Sequence, residues 1–148
     1  MKTFYSLVTL LLLTAQSHAT DMYMARSASS FPETMSKLQE TNKANNYTVS
    51  RVQRVDIGLT AMGYKTDKYR VVFYGKAEEN ARLISQYPFL IPYLPLKIAI
   101  FAEGDETLMV ASNPMLLSNK TAPKLEPVLK RWTNDLNKII EEMRIASD

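Results

Sequence analysis

Hydrophobic and polar positions follow two different periods along this chain, and together they predict an α+β domain. The helical period is strongest near the C-terminus, where apolar residues share one face of a long amphipathic helix. These residues are Leu125, Val128, Leu129, Trp132, Leu136, Ile139, Ile140 and Met143. An earlier helix is predicted from the apolar stripe Phe31, Met35 and Leu38. A capping box at residues 30–33 marks its start, and Asn45-Asn46 suits the turn that ends it.

Five predicted strands and two short helices occupy the rest of the pattern. The strands cover residues 20–27, 47–55, 69–74, 96–103 and 107–112, and the short helices cover residues 57–62 and 77–85. Val49, Val52 and Val55 break strict alternation in the second strand, so we expect a bulge there. Asp56 is predicted to cap the first short helix. The principal elements follow the order β-α-β-β-β-β-α within a single domain.

Alternation along the third and fourth strands assigns their side chains to opposite faces of the sheet. One set is apolar and is expected to meet the helices: Tyr69, Val71, Phe73, Leu96, Ile98 and Ile100. The other set is amphipathic: Arg70, Val72, Tyr74, Lys97, Ala99 and Phe101. A solvated face of an antiparallel sheet is normally more polar than this second set. Three explanations stay open, namely cover by the C-terminal helix, pairing of two copies, or a cavity for a small amphipathic or acidic ligand.

The cavity explanation names four candidate ligand-binding residues on that second face. Arg70 and Lys97 are the cationic anchors, and Tyr74 and Phe101 add aromatic surface. A second unusual patch is the proline-punctuated apolar stretch at residues 88–95. We expect this stretch to plug the core, with an exposed partner-binding patch as the alternative.

Residues 1–19 are typical of a secretory signal peptide. Lys2 precedes an apolar run, and Ser17 and Ala19 are small residues at the positions that signal peptidase prefers. Cleavage before Thr20 is expected to leave one domain, residues 20–148, that is periplasmic or secreted. After cleavage, no apolar run in the sequence approaches the roughly 20 residues of a membrane span.

The composition excludes several kinds of chemistry in the exported domain. His18 is the only histidine and the chain contains no cysteine, which excludes serine triads, cysteine nucleophiles and zinc sites built on those residues. Loss of Lys2 leaves 17 of 18 basic residues against 15 acidic ones, a balance that does not suggest a nucleic-acid partner. Met22 and Met24 form a close methionine pair, but Cu(I) sites usually add histidine or cysteine, so we expect no cofactor and no metal.

Three segments of the chain form a familiar series. The first is Val55-Asp56-Ile57-Gly58-Leu59 through Gly63-Tyr64, and the second is Tyr69-Arg70-Val71-Val72-Phe73-Tyr74-Gly75. The third runs from Pro88 through Leu94-Pro95-Leu96-Lys97-Ile98-Ala99-Ile100 and closes with Ala111-Ser112-Asn113-Pro114. Together they resemble the bacterial domain-of-unknown-function 302 family. The resemblance covers roughly residues 34–118. It implies helices packed on one face of a curved antiparallel sheet. It implies no activity, and no catalytic residue is carried over from it.

We therefore predict an exported, non-catalytic domain that binds a small ligand or a protein partner through the sheet face. One alternative is a structural homodimer or larger homo-oligomer without a ligand. Another is an enzyme that uses carboxylates and tyrosines, which requires two acids about 5–10 Å apart across one pocket. No catalytic residue is assigned from the sequence.

Overall fold

The computed structural model of the protein describes residues 20–145, so the predicted signal segment lies outside the described residues. The strands are β1 (Met22–Ser27), β2 (Thr48–Arg54), β3 (Tyr69–Gly75), β4 (Leu96–Glu103) and β5 (Glu106–Ser112). The α-helices are α1 (Phe31–Ala44), α2 (Val55–Ala61), α3 (Ala77–Gln86) and α4 (Glu126–Ile145). Three 3₁₀ segments join them: the proline segment (Pro88–Tyr93), the post-sheet segment (Pro114–Lys120) and Pro123–Leu125.

The five strands form one antiparallel sheet in the order β1-β5-β4-β3-β2. The register of β2 against β3 shifts between Val49 and Arg51, which confirms the predicted bulge. Helices α1 and α4 pack against the same side of the sheet, and their apolar stripes join its core. The α+β class, the element order and the long C-terminal helix are therefore confirmed.

Local signals in the sequence place most of the helix ends correctly. The backbone amide and the hydroxyl of Ser30 both donate to Glu33 Oε2, at 3.0 and 2.7 Å, and α1 starts at the next residue. After α1 the chain turns at Asn46, whose φ is 62°. The expected role of Asp56 is wrong, because α2 begins at Val55 and Asp56 lies inside its first turn. There Asp56 pairs with Arg70 instead of capping the helix.

The core has two parts, and α4 contributes to both. The first part lies between the sheet and the helices α1 and α4. The second gathers α3, the proline segment and the start of α4 around Trp132, which is 2% exposed. Leu90 of the proline segment is fully buried there, whereas Phe89 and Ile91 on either side are exposed. The proline segment thus plugs the core and also presents apolar side chains to solvent.

The register of β3 against β4 corrects the predicted assignment of faces. Val72 is opposite Ile98 and Tyr74 is opposite Leu96, and directly opposite residues share a face. The side chains that meet the helices are therefore those of Arg70, Val72, Tyr74, Leu96, Ile98 and Ile100. The predicted grouping placed the wrong residues of the two strands on a common face. Alternation shows which residues of one strand share a face, but it does not show how two neighbouring strands align. Register depends on the long β3–β4 connection, which holds α3 and the proline segment.

We call the side of the sheet away from α1 and α4 the open face. It carries the odd-numbered residues of β3 and β4 and the even-numbered residues of β1 and β5. Met22 and Met24 are 50% and 44% exposed on its edge strand. Among the helices described in residues 20–145, none has the length and hydropathy of a membrane span.

Candidate functional site

The four predicted ligand-binding residues do not share one face. Arg70 and Tyr74 point to the helix side of the sheet, and Lys97 and Phe101 point to the open face. Tyr74 and Lys97 nevertheless line the same cleft, because that cleft lies at one end of the sheet and reaches both of its sides. Arg70 and Phe101 lie towards the opposite end of β3 and β4. The structure therefore brings Tyr74 and Lys97 to one cleft and leaves Arg70 and Phe101 outside it.

Arg70 is held in a contact that accounts for its position without a ligand. Its guanidinium pairs with the carboxylate of Asp56, and both side chains are about 15% exposed. The guanidinium carbon also lies 5.7 Å from the ring centroid of Phe31, within the range of a cation–π contact. The hydrogen bond from Arg70 holds the pKa of Asp56 below its usual value of 3.8. Arg70 thus ties α2 and the start of α1 to the sheet.

Replacing Arg70 by alanine is expected to lower the free energy of unfolding by about 1 kcal/mol, the upper end for exposed ion pairs. The pKa of Asp56 is lowered in the folded protein by this pair. The contribution of the pair to the free energy of unfolding is therefore fully present above pH 3.8 and is lost as the pH falls through the lowered pKa. Urea unfolding at pH 7 and at pH 3 measures both effects, with the difference between wild type and variant smaller at pH 3. Lys130→Ala, which removes an exposed pair with Glu126, is the control. Equal effects of the two variants would contradict this role of Arg70.

The cleft forms where β4 and β5 separate. Their pairing runs from Glu103–Glu106 to Ala99–Val110, although β4 begins at Leu96 and β5 continues to Ser112. The last residues of β5 stay paired with β1 and the first residues of β4 stay paired with β3. A gap therefore opens inside the sheet at this end.

The proline segment and the post-sheet segment form the walls of this strand-end cleft, which has a volume of about 380 Å³. Its lining is Tyr74, Pro92, Tyr93, Leu96, Lys97, Ser112, Asn113, Pro114, Leu116, Leu117, Lys120 and Leu136. The volume lies within the range of about 300–1,000 Å³ that is typical of small-molecule sites. Most of the lining is apolar, with polar groups concentrated at a few positions.

Two lysines supply the formal charges of the lining. Lys97 is exposed at the start of β4, and Lys120 is exposed at the end of the post-sheet segment. Lys120 Nζ lies 5.9 Å from the ring centroid of Tyr93, so it reaches towards the wall formed by the proline segment. None of the described residues that line the cleft is acidic. The local charge therefore favours an anion.

Tyr74 is the unusual polar group of the cleft. It is 2% exposed, and its hydroxyl has no hydrogen-bond partner among residues 20–145. Burial, and secondly the charge of Asp135, raise the pKa of Tyr74 above its usual value of 10. The hydroxyl therefore keeps its proton at physiological pH and can act as a donor. Among residues 20–145 the buried side-chain atom without a partner is Asn42 Oδ1, so the Tyr74 hydroxyl is not sealed from solvent, and Tyr74 lines a cleft of ligand size.

Tyr47 packs edge-on against Tyr74 but is fully engaged. The ring centroids are 5.3 Å apart at an interplanar angle of 79°. The Tyr47 hydroxyl donates to Asp135 Oδ2 at 2.6 Å, and Asp135 also lies 3.9 Å from Arg131 Nη1. Burial and the hydrogen bond to Asp135 both raise the pKa of Tyr47. This second tyrosine therefore ties α4 to the residue that directly precedes β2, whereas the Tyr74 hydroxyl has no such partner within residues 20–145.

The chemical capacity of the cleft follows from these groups. A cationic rim, a hydroxyl donor and apolar walls are suited to a small molecule with an anionic head and an apolar body. Among residues 20–145, no group of three or more histidine, cysteine, aspartate or glutamate side chains is placed to hold a metal ion. The lining thus supplies hydrogen-bond donors and positive charge but no acid.

The fold and this cleft define a small α+β domain with a five-stranded antiparallel sheet, helices on one face and a ligand-sized opening at one end. The chain belongs to the family described as "Domain of unknown function DUF302", whose model matches residues 23–143. A crystal structure of an uncharacterised conserved DUF302 protein from Bacillus stearothermophilus has a similar fold, with a TM-score of 0.68. It shares 20% sequence identity over 88% of this chain and 100% of that chain. No curated protein matches the sequence.

Lys120 is the charged residue of the cleft that the sequence pattern did not identify. The apolar and polar pattern ends the last strand at Asn113-Pro114 and predicts no element before the C-terminal helix. The post-sheet segment in that interval is a 3₁₀ turn, which has no long period to detect. One local signal does exist, since Asn113 before Pro114 is typical of a turn or cap, and its side chain accepts a hydrogen bond from the amide of Met115. That signal predicts the turn but not the position of Lys120 beside Tyr93.

Proposed function

We propose that this protein is an exported, periplasmic or secreted, domain that binds a small amphipathic anion in the strand-end cleft without catalysing a reaction. The ligand class is a carboxylate with a short apolar body. The observation that carries the proposal is Tyr74, whose hydroxyl makes no hydrogen bond within residues 20–145 and is not sealed from solvent, and whose side chain lines a cleft with two lysines and no acid.

The polar groups divide the ligand into a head and a body. In the proposed complex the carboxylate lies between Lys97 and Lys120 and accepts a hydrogen bond from Tyr74. Charge-assisted hydrogen bonds of this kind are stronger than neutral ones. The apolar body lies along Tyr93, Leu117 and neighbouring side chains of the two 3₁₀ segments, which removes apolar surface of both partners from water.

The two lysines and the tyrosine also predict that the cleft distinguishes a charged ligand from a neutral ligand of the same chain length. A neutral alcohol of the same chain length buries the same apolar surface but gains no ionic contact. Since hydrogen bonds to charged groups contribute about 1.5–3 kcal/mol, we expect the alcohol to bind roughly 10- to 100-fold more weakly than the acid. Affinity for the acid should also fall with ionic strength.

The test is titration with octanoate, using octanol as the neutral control. Trp132, the single tryptophan, packs in the same cluster as the cleft residue Leu117, so its fluorescence is a suitable reporter alongside calorimetry. We expect saturable binding of one octanoate per chain. Lys97→Ala and Lys120→Ala should each weaken it about tenfold, consistent with the loss of one charged contact.

Lys124→Ala is the matched control, because Lys124 is exposed just after the post-sheet segment and does not line the cleft. Its affinity for octanoate should equal that of the wild type. Equal binding of octanol and octanoate, or equal effects of Lys120→Ala and Lys124→Ala, would overturn the proposed anion site. An absence of saturable binding by octanoate or benzoate at millimolar concentration would do the same.

A further inference from the structure

We propose that two copies of this chain associate face to face through their open faces, with a two-fold axis that lies between the sheets and runs perpendicular to the strands. This interface shares Lys97 with the strand-end cleft but has its apolar band outside the cleft, and it does not depend on the proposed ligand. Its occupant is a second copy, and the reasons are the self-complementary charge and the apolar band of this face.

The middle of the open face is an apolar band that crosses four strands. Val71 is opposite Ala99, Ala99 is opposite Val110, and Val110 is opposite Met24. In a single chain, the side chains of Val71, Ala99 and Val110 are half-buried, and that of Met24 is 44% exposed. In a second row, Tyr69 and Phe101 lie edge-to-face with ring centroids 5.9 Å apart. A contiguous apolar patch of this kind on a sheet face is typical of an interface.

The two ends of the open face carry opposite charges. At one end, Arg51 and Lys97 both lie opposite Phe73 on neighbouring strands. At the other end, Glu103 lies opposite Glu106, next to the turn that holds Asp105. Arg26 neutralises part of this acidic end, with its Nε 3.0 Å from Glu103 Oε2 and 3.9 Å from Glu106 Oε2. The acidic end keeps a net negative charge and the other end is positive.

The charge pattern selects one arrangement of the two copies. An axis parallel to the strands places Lys97 against Lys97 and acid against acid, which is repulsive. An axis perpendicular to the strands crosses β4 of one copy over β4 of the other and brings Lys97 opposite the second copy's Glu103. The midpoint between these residues falls near Ala99 and Phe101, so the apolar bands coincide. The same patch is used twice, as a two-fold interface requires.

The open face is also large enough to form a specific interface between two copies. Five strands spaced about 4.8 Å apart and six residues at about 3.4 Å each cover roughly 24 by 20 Å, or about 480 Å² per copy before side-chain relief is counted. Two such faces bury about 1,000 Å² or more, which is the size at which specific interfaces begin. Packing of two sheets with nearly aligned strands is the usual geometry of a β-sandwich.

Sedimentation equilibrium of the purified protein tests the association. The wild type should have twice the mass of one chain. Val71→Lys places a charge in the middle of the apolar band and should give a monomer with unchanged far-ultraviolet circular dichroism. Lys97→Glu should weaken the dimer at least tenfold, since like charges then face each other, and Lys97→Glu combined with Glu103→Lys should restore it.

Cleft variants separate this interface from the ligand site. Lys120→Ala should leave the mass of the dimer unchanged, and Val71→Lys should leave octanoate affinity unchanged because Val71 does not line the cleft. A wild-type monomer at 100 µM overturns the proposal, as does a folded Val71→Lys variant that remains dimeric. A wild-type monomer that forms a stoichiometric complex with another exported protein would assign the open face to that partner and reject the second copy.

Discussion

Trp132→Ala is expected to lower the free energy of unfolding by about 3–5 kcal/mol, the largest effect that we expect from any single substitution described here. Trp132 is 2% exposed and joins α4 to α3 and the proline segment. Its indole nitrogen also donates to Glu79 Oε2 at 3.3 Å, and Glu79 pairs in turn with Arg131. The alanine variant removes the ring and leaves a cavity between three elements. Because small domains are stable by only about 5–15 kcal/mol, much of the population could unfold.

Urea unfolding followed by circular dichroism measures this loss, since the variant has no tryptophan fluorescence. Trp132→Phe separates packing from hydrogen bonding, because phenylalanine keeps most of the ring but not the donor. It should cost less than half as much as the alanine variant. Ile91→Ala is the matched control in the proline segment, where Ile91 is 58% exposed and should change stability by at most about 0.5 kcal/mol. A Trp132→Ala variant as stable as Ile91→Ala would contradict the second core.

The elements of this fold could be predicted from the sequence because each depends on nearby residues. The apolar stripe from Leu125 to Met143 predicts α4, and the Ser30–Glu33 capping box predicts where α1 begins. The valines at positions 49, 52 and 55 predict the bulge in β2. All of these signals act within a few turns or within one strand, so their physical cause is present in the sequence itself.

The site could not be predicted in the same way because it depends on the alignment of separate elements. A shift of one residue between β3 and β4 moves Arg70 and Tyr74 to the other side of the sheet from Lys97 and Phe101. Alternation places Arg70 and Tyr74 in the amphipathic set that suggested a ligand-binding face, yet one pairs with Asp56 and the other adjoins the cleft. Both residues are explained by tertiary partners that lie far from them in the sequence.

Two neighbouring tyrosines provide a paired test of the distinction between structure and ligand binding. We expect Tyr47→Phe to lower the free energy of unfolding by about 1–2 kcal/mol, because Asp135 loses a hydrogen bond to a charged group and is partly able to recruit water. Tyr74→Phe should leave the free energy of unfolding within about 0.5 kcal/mol, since its hydroxyl has no partner in residues 20–145 that could be lost. Both variants keep the edge-to-face ring contact.

Octanoate affinity should respond in the opposite order. Tyr74→Phe should weaken octanoate binding about tenfold through loss of the donor, which corresponds to roughly 1.4 kcal/mol. Tyr47→Phe should bind octanoate as the wild type does, because Tyr47 does not line the cleft. Urea unfolding and calorimetry are measured on the same two variants. We expect Tyr47→Phe to lower stability but not affinity, and Tyr74→Phe to lower affinity but not stability. If Tyr74→Phe lowers stability as much as Tyr47→Phe and leaves affinity unchanged, then Tyr74 is a core residue and the cleft has lost the group on which its proposed function depends.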